Sequence, residues 1–209
     1  HAHVQQQAAW AIRHGLQQEV ARGGVAPGLE ARGLQQAHQC SPLVSDYAVF
    51  SLMPVTGKLA VNQYARAAKF SHANETAKPD YYRVKLDNGI TTEMAPTERG
   101  AHMRFAFPKK QNAYVVFDGY VKLSEVEVLP DQRTIKGYVT NQRFAPKDFK
   151  CYFIIQFDKP FKSFGTWSQN TDTVSAGNTK ITGENIGAYL EFEKGTTVQA
   201  KIASSYISA

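Results

Sequence analysis

The sequence predicts an all-β fold: an antiparallel two-sheet β-sandwich preceded by an irregular or partly helical N-terminal segment. Three observations carry this. Beyond residue 46, short apolar runs alternate with polar residues at a period of two, the pattern of half-buried strands. Gly, Pro and Asn punctuate these runs at short intervals, as hairpin connections require. No helix-length periodic segment separates the runs, which argues against a parallel α/β arrangement.

Residues 1–40 differ in kind. They hold eight glutamines, four of the six histidines and a single aromatic residue, Trp10. The spacing of Trp10, Leu16 and Val20 predicts a helix over residues 5–21, weakened by Gly15 and ended by Gly23-Gly24 and Pro27-Gly28. His1, His3, His14 and His38 lack metal-ligand spacing and read as tag, disorder or solvated surface.

Strands follow. Residues 47–53 form an apolar run closed by Pro54 and Gly57. Tyr82, Val84 and Leu86 alternate with Arg83, Lys85 and Asp87, and Asn88-Gly89 supplies a tight hairpin turn. Further strands are expected at 101–107, 113–117, 120–129, 132–140, 150–157, 186–193 and 197–207. The last is the clearest, with Val198, Ala200 and Ile202 on one face and Gln199 and Lys201 on the other.

Composition narrows function more by exclusion than by pointing. A hydrophobic fraction of 43% supports a real core and excludes general disorder. No apolar run approaches the roughly 18 residues of a membrane helix. The net charge of +6 reads as solvated basic surface, because the lysines and arginines are interleaved with acids and Lys109-Lys110 is their densest run. No nucleic-acid motif accompanies the charge. Cys40 and Cys151 leave two readings open: one disulfide in a secreted protein, or Cys151 as a buried thiol acting as a small hydrophobe. The first residue is His1, and the sequence reads as a fragment or processed product.

There is no nucleophile elbow, phosphate-binding glycine loop, HExxH zinc motif or EF-hand loop. The best local cluster is the polar stretch Phe70-Ser71-His72-Ala73-Asn74-Glu75. His72 and Glu75 there can hydrogen-bond a polyol such as a sugar, or anchor their own loop to the backbone.

A family resemblance enters at this stretch. Ser45-Asp46-Tyr47 followed by Leu52-Met53-Pro54-Val55-Thr56-Gly57 resembles the segment "SDYGDILLMPTTG" of glycoside hydrolase family 92, the calcium-dependent exo-acting α-mannosidases. "FSHANE" at 70–75 is similar to the family's "FSHENE", and "KPDYYRVKL" at 78–86 resembles "xPGYYxVxL". "TERGAHMRFAFP" at 97–108 is similar to "TERVGFHRYTFP", and "VQAKIASSYIS" resembles the strand closing the family's N-terminal domain. The matches run in order over about residues 45–209.

The resemblance implies a two-domain enzyme. Its N-terminal, supersandwich-like β-sandwich packs on a C-terminal (α/α) barrel that supplies the acid, the base and most of the calcium site. Terminal α-mannose is then removed from glycans by inverting hydrolysis. On this reading residues 45–209 are the sandwich, the catalytic barrel lies outside this chain, and no residue here is catalytic or a metal ligand. His72 and Glu75 are the expected substrate-binding residues. Mannose-containing glycans and the barrel are the expected partners, and calcium is the parent's cofactor. A secreted or periplasmic location goes with that class.

His102 and Arg104, separated by Met103, match the family's "HR" region and read as structural. Asp80 stands where the family has Gly, and Pro96 replaces a Thr. Upstream of Ser45, "RGLQQAHQCSPLV" replaces the family's "GFSHTHLSGTG". An out-of-frame reading of residues 1–44 and a divergent N terminus both account for that change. The alternative function is a free-standing carbohydrate-binding sandwich in which Trp167 or the tyrosines stack on sugar faces.

Overall fold

The structure, a computed structural model, describes residues 10–14, 29–36, 50–97, 100–119, 122–140 and 149–208. Within them the chain is all-β. The strands in chain order are β1 (Trp10–His14), β2 (Leu29–Gln36), β3 (Ser51–Thr56), β4 (Ala68–Lys78), β5 (Tyr81–Leu86), β6 (Thr91–Pro96), β7 (Gly100–Ala106) and β8 (Ala113–Asp118). They continue as β9 (Ser124–Leu129), β10 (Thr134–Thr140), β11 (Lys150–Phe157), β12 (Ser163–Ser168), β13 (Thr173–Ala176), β14 (Lys180–Gly183), β15 (Ile186–Phe192) and β16 (Thr197–Ser205). The described helical structure is one 3-10 turn, Pro130–Gln132, after which Arg133 adopts a left-handed φ of 53°.

All pairings are antiparallel and join the strands into one large sheet, ordered β13-β12-β15-β8-β3-β2-β4-β5-β6-β7-β16-β11-β10-β9-β14, with β1 paired to β2. The sheet folds over itself, so that β14 lies beside β12 and β15, and β9 beside β15. Alternation then decides what is inside. On β11 Cys151, Phe153, Ile155 and Phe157 are buried, and the residues between them are not. Phe153 meets Phe117 of β8 across the fold at 4.6 Å between ring centroids, and Phe50 packs on both. Phe157 reaches Phe192 of β15 at 5.6 Å. Burial of each such ring contributes about 1.5–3 kcal/mol, so this aromatic seam favours closure of the folded sheet.

The strands expected at 150–157, 186–193 and 197–207 form within two residues of those bounds. Three expectations change. The helix over 5–21 does not form where that stretch is described, since Trp10–His14 is a strand against β2. Leu29–Gln36 is also a strand and enters the sheet between β3 and β4, with Ala31 and Leu34 buried. Gly33 permits that approach, because a Cβ there would lie 2.6 Å from the Ser51 hydroxyl oxygen.

Pro54 does not close its strand: β3 runs through it to Thr56. Among the described residues β2 pairs with β3 at Leu34 opposite Leu52, away from Pro54, whose missing N–H costs that pairing nothing. At the β4–β5 turn, Asp80 is accommodated without a positive φ. Gly89 has a φ of 88° in the β5–β6 hairpin, as its pairing with Asn88 predicts.

Candidate functional site

β4 and β5 build the site. Phe70 pairs with Leu86 and Glu75 with Val84, so five steps along β4 oppose two along β5. The intervening residues, 71–74, bulge out of the ladder and lift His72 into solvent, its side chain 76% exposed. Ser71 Oγ accepts a hydrogen bond from the Ala73 N–H at 3.2 Å, and the Phe70 ring meets the His72 ring edge-on at 6.4 Å.

Glu75 is held from two sides. Its Oε2 contacts His72 Nδ1 at 2.5 Å, and the Tyr82 hydroxyl donates to its Oε1 at 2.5 Å. Tyr82 is buried, and that burial, followed by the hydrogen bond to Glu75 and the Glu75 charge, pushes its phenol well above the usual range. Tyr82 therefore stays a donor. The Nδ1–Oε2 hydrogen bond takes one ring nitrogen of His72 and leaves Nε2 as the other hydrogen-bonding position of an exposed ring. Among the described residues Nε2 has no hydrogen-bond partner. The pair expected from the sequence thus comes together. The sequence reading missed Tyr82, whose only signal is an apolar-face position in the β5 alternation.

The neighbouring residue repeats the pattern on the other face of β5. The Tyr81 hydroxyl donates to Glu93 Oε1 at 2.5 Å, and Arg104 closes Oε2 through Nε at 2.5 Å. Burial pushes the Glu93 carboxyl up. The hydrogen bonds from Tyr81 and Arg104, with the Arg104 and Arg83 charges, outweigh burial and hold it below the usual carboxylate range. The hydrogen bond to Glu93, then burial and the Glu93 charge, raise Tyr81. Arg104 is thus ion-paired to Glu93, whereas His102 has no side-chain partner among the described residues.

A third polar cluster is buried. Arg66, from the segment after β3, donates to Asp118 Oδ2 and to the Val61 carbonyl, and its side chain is fully buried. Ser51 Oγ donates to the same Asp118 oxygen at 2.8 Å. Nothing in the sequence pattern announces these partners, which lie 52 and 67 residues apart. Nearby, the Arg32 guanidinium sits 4.6 Å over the ring of exposed Tyr64.

Trp167 is not a sugar platform. It is 4% exposed, and its indole Nε1 donates to the Ala188 carbonyl at 3.3 Å. Cys151 is buried, and Cys40 lies outside the described residues, as do His1, His3 and His38. Among the described residues no three His, Cys, Asp or Glu side chains converge as a metal site. No helix among them is long and apolar enough to cross a membrane.

Comparison with known proteins places this geometry. Residues 10–205 match the glycosyl hydrolase family 92 N-terminal domain. A family GH92 inverting mannosidase from Bacteroides thetaiotaomicron superposes with a TM-score of 0.79 at 36% identity, over 86% of this chain and 24% of that one. A family GH92 α-mannosidase of the same organism, solved in complex with mannoimidazole, gives a TM-score of 0.75 at 23% identity, over 90% of this chain and 27% of that one. Another GH92 family glycosyl hydrolase gives 0.69 at 21% identity, over 86% and 26%. The chain spans about a quarter of the length of these structures. Among curated proteins no relative matches.

Proposed function

We propose a role from membership, since the chain belongs to glycosyl hydrolase family 92 as an N-terminal domain: it is the non-catalytic, glycan-facing part of an exo-α-mannosidase. The parent removes terminal α-linked mannose by inverting hydrolysis, and the acid, the base and the calcium ligands come from an (α/α) barrel domain. The folded-over sheet is the two-sheet, supersandwich-like body on which that barrel packs. The change of sequence character near Ser45 marks either a divergent or an out-of-frame residue 1–44 segment, which sequencing the gene distinguishes. A secreted or periplasmic setting, with access to glycans, belongs to the same proposal.

The observation that carries the role is the His72–Glu75–Tyr82 chain. A buried phenol fixes one carboxylate oxygen, the carboxylate fixes one imidazole nitrogen, and the remaining nitrogen faces solvent on a bulge. Such a chain sets the ring's orientation in advance, which suits recognition of a sugar hydroxyl. Hydrolysis would need a second carboxyl across the glycosidic oxygen from the first. Glu75 is engaged by His72 and Tyr82, and Glu93 is closed by Tyr81 and Arg104.

Two measurements test the proposal. The 209-residue chain is expected to hydrolyse no aryl α-mannoside with calcium present. In calorimetry or NMR titration it is expected to bind methyl α-mannoside, and His72→Ala is expected to weaken binding about tenfold, the scale of one hydrogen bond to a polarised group. Turnover by the chain that disappears on mutating its own carboxylates would overturn the non-catalytic reading. Unchanged mannoside binding in His72→Ala would overturn the role of the loop.

A further inference from the structure

The outer face of β6, β7, β16, β11 and β10 carries a second polar surface that the His72 loop does not explain. In register across these strands, Ala95 lies opposite His102, His102 opposite Lys201, Lys201 opposite Gln156 and Gln156 opposite Thr134. One row over, Glu93 pairs with Arg104 and Arg104 with Gln199. Three adjoining hollows of about 410, 500 and 240 Å³ lie along this face. The first two share Arg133, Gln156 and Lys201, and the first and third share Gln199, which joins them into one trough.

Two properties of the trough select its ligand. First, its hydrogen-bonding ends are unused: the side chains of His102, Lys201, Gln156 and Gln199 have no hydrogen bond or ion pair among the described residues. Second, its charges cancel. Three cations, Arg104, Arg133 and Lys201, line it against three anions, Glu93, Asp131 and Asp158. Glu93 and Arg104 close on each other, and of the remaining charges an anion would meet two carboxylates and a cation two basic groups. A neutral ligand rich in hydroxyls meets donors and acceptors without a charge penalty. From β6 to β10 the trough crosses four inter-strand spacings, about 19 Å at roughly 4.8 Å each, a span suited to several linked sugars rather than one.

The geometry points to an oligosaccharide-binding trough on this face, taking a neutral glycan chain several units long. It is a separate surface from the His72 loop, since Tyr81 serves this face of β5 and Tyr82 the other. Only the choice of mannose as the sugar rests on the proposed function.

The test is a calorimetric titration of the chain with linear α-mannotetraose, mannose and the anionic tetragalacturonate. Wild type is compared with Gln199→Ala/Lys201→Ala and with His72→Ala, and near-UV circular dichroism confirms that the variants fold. These side chains are exposed, so folding is expected to survive. The trough predicts tetraose binding at least tenfold tighter than mannose binding. It also predicts at least a tenfold loss of tetraose affinity in the double variant and less than a twofold change in His72→Ala. Absence of tetraose binding, tighter binding of tetragalacturonate, or tetraose binding lost in His72→Ala but kept in the double variant would each overturn it. If the double variant loses the tetraose while His72→Ala leaves mannoside binding unchanged, the trough stands and the reading of the His72 loop falls.

Discussion

Tyr81 and Tyr82 sit side by side on β5 and do the same thing on opposite faces, each donating to a glutamate at 2.5 Å. The difference lies in what closes the second oxygen. On the outer face Arg104, permanently charged, grips Glu93 through its guanidinium and leaves the carboxylate spent. On the other face Glu75 is closed by His72, a side chain lifted into solvent whose second nitrogen is still available. One arrangement ties strands together; the other holds a group ready for something outside the protein. The tyrosine–glutamate pair alone therefore says little about function, and the third partner decides it.

The buried Arg66–Asp118 pair sets the upper scale for that comparison, because neither partner can regain water when the other is removed. Asp118→Ala strands a fully buried guanidinium and is expected to cost about 3–5 kcal/mol, read as a fall in the urea midpoint with unchanged slope. A loss near that expected for a surface pair would place Arg66 in water in solution.

Next comes Tyr82→Phe, expected to cost about 1–3 kcal/mol, because it removes a donor from a partly buried carboxylate without removing the ring. The same phenol predicts a pH dependence. Its folded pKa is raised, so its contribution to stability is complete below about pH 10 and is lost as pH rises above that value, where the unfolded tyrosine ionises and the folded one does not. Denaturation midpoints measured between pH 8 and 11 should fall less steeply in Tyr82→Phe than in wild type.

Glu93→Gln is expected to cost less, about 0.5–1 kcal/mol, since Arg104 is 53% exposed and solvent screens the pair. The sign on the acid side is opposite to that of Tyr82. The Glu93 pKa is lowered, so its contribution is present above about pH 4.5 and is lost as pH falls through the folded value. Wild type and variant should converge in stability at low pH. The smallest effect is that of His72→Ala, within about 0.5 kcal/mol in unfolding, because the ring is exposed. A His72 variant as damaging as Tyr82→Phe would make the loop a structural anchor and erase the contrast between the two faces.

The strands and hairpins were legible in the sequence because alternation and turn residues are local. β11 and β16 could be read from their periods, and the β5–β6 turn from Asn88-Gly89. The His72–Glu75 pair was also legible, because both members lie in one six-residue stretch. Partners from distant strands were not. Glu93 and Arg104 are 11 residues apart and meet only through the β6–β7 register, and Arg66 finds Asp118 only once the segment after β3 folds back. Glutamine-rich β2 looked unlike a strand because its place comes from the neighbours on either side rather than from its own apolar period. Trp167 misled for a related reason: an aromatic in an alternating strand can serve the core or the surface, and Gly187 opposite it opened a place in the core.

The account turns on His72 being a presented group rather than a loop anchor, and the imidazole can report this itself. In a heteronuclear NMR titration of the chain with methyl α-mannoside, the His72 ring resonances are expected to shift saturably. In Glu75→Gln, where the ring loses its charged partner, the shift is expected at about tenfold higher ligand concentration. His72 resonances that stay fixed while mannoside binds elsewhere, or a Glu75→Gln titration that overlays wild type, would contradict it.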